Sequence, residues 1–156
     1  IDAIIILIIL LVVGAAIYLI VTDYGNSKKA ENGNVEFVVR LSAVDEHMLP
    51  LITENKTVKD SVSGTTLGII RSVKTEKTRY YGDTAVPSGG GYTLTISEYE
   101  DKYDVYVTIS AYANLDEQGI YSIGNTRILI GSTVYFKVPS FTQVSYITEF
   151  SPKTAG

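Results

Sequence analysis

Residues 103–113 run YDVYVTISAYA, apolar and polar side chains in turn. Val105, Val107 and Ile109 alternate with Tyr106, Thr108 and Ser110. Side chains of a strand point alternately to its two faces, so this period of two marks a strand with one buried face. A second clean alternation precedes it in Tyr92–Ser97, YTLTIS. Pro87-Ser88-Gly89-Gly90-Gly91, just before that, reads as a flexible loop. Between the two strands, Glu98–Asp104 holds four carboxylates in seven residues, EYEDKYD, and reads as a solvated turn.

The same pattern extends in both directions. Val35–Leu41 is rich in strand formers, and Val58–Val73 reads as strand, turn, strand. Lys74–Tyr81 carries many charges and reads as an exposed edge. Asp45–Thr53 suggests a short helical turn interrupted by Pro50. Ile120–Ile123, Thr126–Ile130, Thr133–Val138 and Gln143–Phe150 complete about eight short strands, with Gly124-Asn125 and Gly131-Ser132 as tight connections. An antiparallel sandwich or small barrel follows.

The first 25 residues differ in kind. From Ala3 to Val21 there is no charge, and such a run matches the thickness of a bilayer core when helical. The expected fold class is therefore a long N-terminal apolar α-helix plus an all-β antiparallel domain. Residues 1–25 form the helix, 26–34 a polar linker, 35–150 the β domain and 151–156 a tail. Lys28 and Lys29 alone would place the β domain in the cytoplasm, a conflict that a removed cationic leader before Ile1 resolves. Asp2 stands where a carboxylate caps a helix N-terminus, and Gly14, Ala15 and Ala16 permit close approach of neighbouring helices. Asp2, Ile5, Ile9, Gly14, Ala15, Ala16 and Tyr18 are the expected membrane or polymerisation positions.

Composition narrows the chemistry. There are 156 residues, no cysteine, one histidine and a net charge of -4, so thiol catalysis, disulfides and cysteine zinc sites are excluded. The acidic balance offers no basic stripe for phosphates, and nucleic acid is not an expected partner. His47, in Asp45-Glu46-His47-Met48, lacks companions for a metal or a catalytic triad and reads as an exposed turn. The carboxylates of 98–104 lack the spacing and central glycine of a calcium loop. Gly89-Gly90-Gly91 is followed by neither Gly-Lys-Ser/Thr nor a helix start, so it is no phosphate loop. The 12 tyrosines are good sheet residues. No cofactor, metal or catalytic residue is expected, and the chain is not expected to be an enzyme. Asn55-Lys56-Thr57 is a glycosylation sequon, which makes Asn55 a possible modification site.

Two resemblances follow from these residues. The layout of apolar helix followed by β domain resembles type IV pilin-like subunits of the archaeal type. Position 5, where bacterial pilins carry glutamate, is Ile5 here. The β domain is similar to an uncharacterised bacterial family of single-span envelope proteins, a domain of unknown function. Ile1-Asp2, Lys59-Asp60 with Gly64 and Leu67-Gly68-Ile69, Lys102-Tyr103-Asp104-Val105, and Ile130-Gly131 through Val138-Pro139 carry that second likeness. Together they imply a structural subunit of an extracellular, pilus-like filament of identical copies. The alternative is an envelope protein held by one membrane span, whose extracytoplasmic β domain binds a partner.

Overall fold

The computed structural model describes residues 32–85 and 90–153. Eight strands follow one another: β1 (Gly33–Asp45), β2 (Thr57–Asp60), β3 (Thr66–Ala85), β4 (Tyr92–Leu115), β5 (Tyr121–Ile123), β6 (Thr126–Arg127), β7 (Thr133–Val138) and β8 (Phe141–Pro152). All their pairings are antiparallel. The order runs β1-β8-β7-β2-β3-β4, and β4 then pairs back onto β1. Six strands thus close on themselves as a barrel, and β5 and β6 extend the far end of β4. Closure matters because it leaves no open edge around the body of the sheet.

Alternation explains why the ring fills. Val35, Phe37, Val39 and Leu41 of β1 are fully buried or nearly so, as are Val105, Val107 and Ile109 of β4. Val134, Phe136 and Val138 of β7 face them, with Val58, Leu67, Ile70 and Ile147 from the remaining strands. A barrel of this size is filled by side chains and keeps no channel. Full burial of such a residue contributes about 1.5–3 kcal/mol, so the core dominates stability. After β1 a six-residue 3-10 turn, Glu46–Leu51, tucks Met48 and Leu49 against this core, with Ile52 buried behind them. Pro50 lies within that turn instead of interrupting it, since so short a helix asks few N–H groups of its residues.

The expectation of a long N-terminal apolar helix is corrected. Among the described residues the 3-10 turn is the helix present, and no helix is long and apolar enough to cross a membrane. The fold class of the described chain is all-β, with no helical domain beside it. Residues 1–25, with Asp2, Ile5, Ile9, Gly14, Ala15, Ala16 and Tyr18, lie outside the described residues.

The second correction concerns residues 98–104. They form no turn: β4 runs unbroken for 24 residues. Lys74–Tyr81 belongs to the 20-residue β3, and beyond Ile69 its outer side has no strand partner among the described residues, so it is an exposed edge as its charges suggest.

Candidate interaction ribbon and its charged base

The length of β3 and β4 produces the most distinctive feature of the molecule. Within the barrel, β1 borders β4 only as far as the pair Asp45↔Lys102, and β2 borders β3 only up to Ile69. Beyond those points β3 and β4 pair with each other alone, from Arg79↔Glu98 to Ala85↔Tyr92. These seven pairs make a two-stranded ribbon about 20 Å long at 3.3 Å per residue.

Register assigns its faces. Directly opposed residues of an antiparallel pair share a face. Tyr81 with Ile96, Asp83 with Leu94 and Ala85 with Tyr92 therefore line one side. Tyr92 is 79% exposed, Tyr81 68%, Leu94 64% and Ile96 57%. Large apolar side chains clustered so openly mark a contact surface more often than isolated ones do. The other side is quieter, with Thr84 and Thr95 hydroxyls 2.7 Å apart and Tyr80 against Tyr99 at 4.7 Å between ring centroids. Neither outer edge of the ribbon has a strand partner among the described residues.

At the root of the ribbon lies an open cleft lined by Arg40, Glu76, Arg79, Glu98 and Asp104, with Tyr81 at its rim. Asp104 is its fixed point. Its Oδ2 accepts from the Arg40 guanidinium at 2.5 Å, and its Oδ1 accepts from the Ala43 N–H at 3.0 Å and the Thr78 hydroxyl at 2.9 Å. The Ala43 N–H reaches it because β1 bulges between Leu41 and Val44, with Ala43 at a positive φ of 55°. Burial alone would raise the Asp104 carboxyl, but the Ala43, Arg40 and Thr78 donors outweigh it and hold the group below the usual carboxylate range. Arg79 and Glu98 pair at 3.2 Å across the first rung of the ribbon. Lys102 pairs with Asp45 beside them, lowering Asp45 and raising Lys102. Within the cleft Arg40 pairs with Asp104 and Arg79 with Glu98, while Glu76 pairs with Lys74 outside it. Their arrangement can fix the angle at which the ribbon leaves the barrel.

The remaining candidates of the sequence sit apart from this region. His47 is exposed in the 3-10 turn, and among the described residues no group of three or more His, Cys, Asp or Glu side chains could hold a metal. Asn55 is exposed in the turn before β2 at a positive φ of 64°, so its side chain is accessible. Asp60 caps the β2–β3 turn: its Oδ1 accepts from the N–H groups of Val62 and Ser63, and its Oδ2 from Tyr135 of β7. Gly68 lies where β3 meets β4, and a Cβ there would stand 2.3 Å from the Ser110 carbonyl oxygen. The residues that carried the second resemblance therefore include several that pin turns and strand contacts.

The ribbon went unread in the sequence. Its signal was the alternation of Tyr92–Ser97 carrying Leu94 and Ile96, taken there as another core strand.

The family model described as Domain of unknown function (DUF4330) matches residues 1–150, and the chain belongs to that family. No curated protein and no solved structure matches it. The likeness to pilin-like subunits is corrected: it rested on a long apolar helix ahead of the β domain, no such helix is among the described residues, and the match is to a family with no assigned function.

Proposed function

We infer that this member of the DUF4330 family is a non-catalytic structural module that works by protein contact outside the cytoplasm, at the cell surface or envelope. One observation carries this: a closed, filled barrel presents a long ribbon whose exposed face is apolar and is covered by none of the described residues. A barrel without an interior site offers a substrate no enclosed place, whereas a projecting apolar face gains free energy when a partner covers it. The uncharged stretch Ala3–Val21 and the absence of cysteine are compatible with that setting. The mildly acidic balance argues for protein over nucleic acid as the partner.

The test is the size of the native complex. Detergent-solubilised wild-type protein from its own cells should sediment well above monomer mass. The double variant Leu94→Lys, Ile96→Lys should fall to monomer mass with its circular dichroism spectrum unchanged. Digestion of the ribbon by protease added to intact cells checks the location. A wild-type protein at monomer mass, or a double variant that keeps the larger mass, would refute the contact function.

A further inference from the structure

We propose that the partner covering the ribbon is a second copy of the same ribbon, packed face to face and antiparallel about a two-fold axis. The proposal rests on the contact function above and names its occupant.

Area is the first support. Tyr81, Tyr92, Leu94 and Ile96 together expose roughly 500 Å² per copy, taking about 200 Å² for a full-sized aromatic side chain. Two copies would bury about 1,000 Å², the threshold for a specific interface. A much larger partner surface would find no further apolar residues on this face to match it.

Charge is the second support. The face bears one charge between its root and the last rung, Asp83, in a row ordered Arg79/Glu98, Tyr81/Ile96, Asp83/Leu94, Ala85/Tyr92. Turning a copy about an axis midway along this row brings each Asp83 over the other copy's Tyr81 and each Leu94 over its Ile96. The Tyr81 hydroxyl then donates to the Asp83 carboxylate, so that the charge is not left bare in the interface. The same rotation sets each Tyr92 over the other copy's Glu98, whose carboxylate can accept from the Tyr92 hydroxyl. A two-fold interface must be complementary to itself, and this row is.

The experiment uses the full chain in detergent, with a benzophenone amino acid in place of Tyr81. Irradiation should give an adduct of twice the chain mass, and Leu94→Lys in the same chain should abolish it. Sedimentation should show a concentration-dependent dimer for wild type and for Tyr112→Lys, an exposed site on the barrel. Leu94→Lys should weaken the dimer at least tenfold. Leu94 has no packing role, so its replacement leaves the fold intact. An adduct only to some other protein overturns the second-copy proposal while leaving the contact function standing. No adduct of any kind overturns both. A double-mass adduct that survives Leu94→Lys also overturns the proposal, because the copies would then meet elsewhere.

Discussion

Asp104 shows what a single residue contributes here. Its carboxylate gathers donors from three segments: Arg40, the bulged Ala43 and Thr78. In Asp104→Asn an amide N–H₂ must face either the Arg40 guanidinium or the Ala43 N–H, setting donor against donor. The expected loss is about 2 kcal/mol in urea unfolding, the scale of a buried hydrogen bond to a charged group; a change under about 0.5 kcal/mol would contradict the role. Asp60 and Asp104 are both held below the usual carboxylate range, Asp60 by its turn N–H donors against the opposing effect of burial. A lowered folded value means that the unfolded chain takes up protons first as pH falls. Their contribution is complete above about pH 4, the ordinary carboxylate value, and disappears as pH drops through the lower folded values. Melting temperature should thus be flat from pH 7 to 5 and fall steeply below 4, with the fall reduced in Asp104→Asn. At Gly68 the φ of 140° and the Ser110 carbonyl leave no space for a methyl group. Gly68→Ala should cost more than about 2 kcal/mol, checked by the same unfolding curve. Asp104 itself was half legible in the sequence. Its parity with Tyr106 and Thr108 was visible, but three neighbouring acidic residues made the segment look solvated, and nothing local shows that Arg40 lies 64 positions away.

At the scale of elements, alternation revealed most strands because burial on one face writes a period of two into the sequence. β1, β7 and β8 fell near their expected limits for that reason. The two long strands did not, since their outer halves carry an apolar face that is exposed, and alternation alone does not tell an exposed apolar face from a core face. Strands usually run 3–10 residues, which favours dividing such a segment. The charged pairs Arg79–Glu98 and Lys102–Asp45 stand where the division was expected, and they tie β4 there to β3 and β1. Exposure also sets the ribbon's dynamics. An isolated two-stranded hairpin is marginal in water. In dilute monomer, amides of 79–85 and 92–98 should exchange with deuterium orders of magnitude faster than those of Val35–Leu41, measured by mass spectrometry of peptic fragments. Under dimerising conditions the ribbon should gain protection selectively. Equal exchange of the two regions in dilute monomer would contradict a ribbon free of the barrel.

For the whole molecule, closure was beyond what the sequence discloses. Pairing β4 with β1 joins Val39 to Val107 across a wide sequence separation, and only the shared core makes that contact favourable. A chain whose ring is complete without residues 1–31 should fold when they are removed. Residues 32–153 expressed alone are expected to give a β-type circular dichroism spectrum and one cooperative thermal transition; a helical or unfolded product would count against the closed ring. The ring also has a direction. Asn34 sits beside Lys153, whose N–H donates to the Asn34 carbonyl at 2.8 Å, while the ribbon leaves from the other end of β4. Consider a pull applied to the molecule. Tension between residues 34 and 153 parts β1 from β8 one bond after another, like a zip, and needs little force. Tension between residue 34 and the ribbon instead drags β1 lengthwise along β4, so that the whole ladder from Asn34↔Tyr112 to Asp45↔Lys102 must yield together. Pulled between those two ends, the barrel resists along its strands, through the full β1–β4 ladder at once.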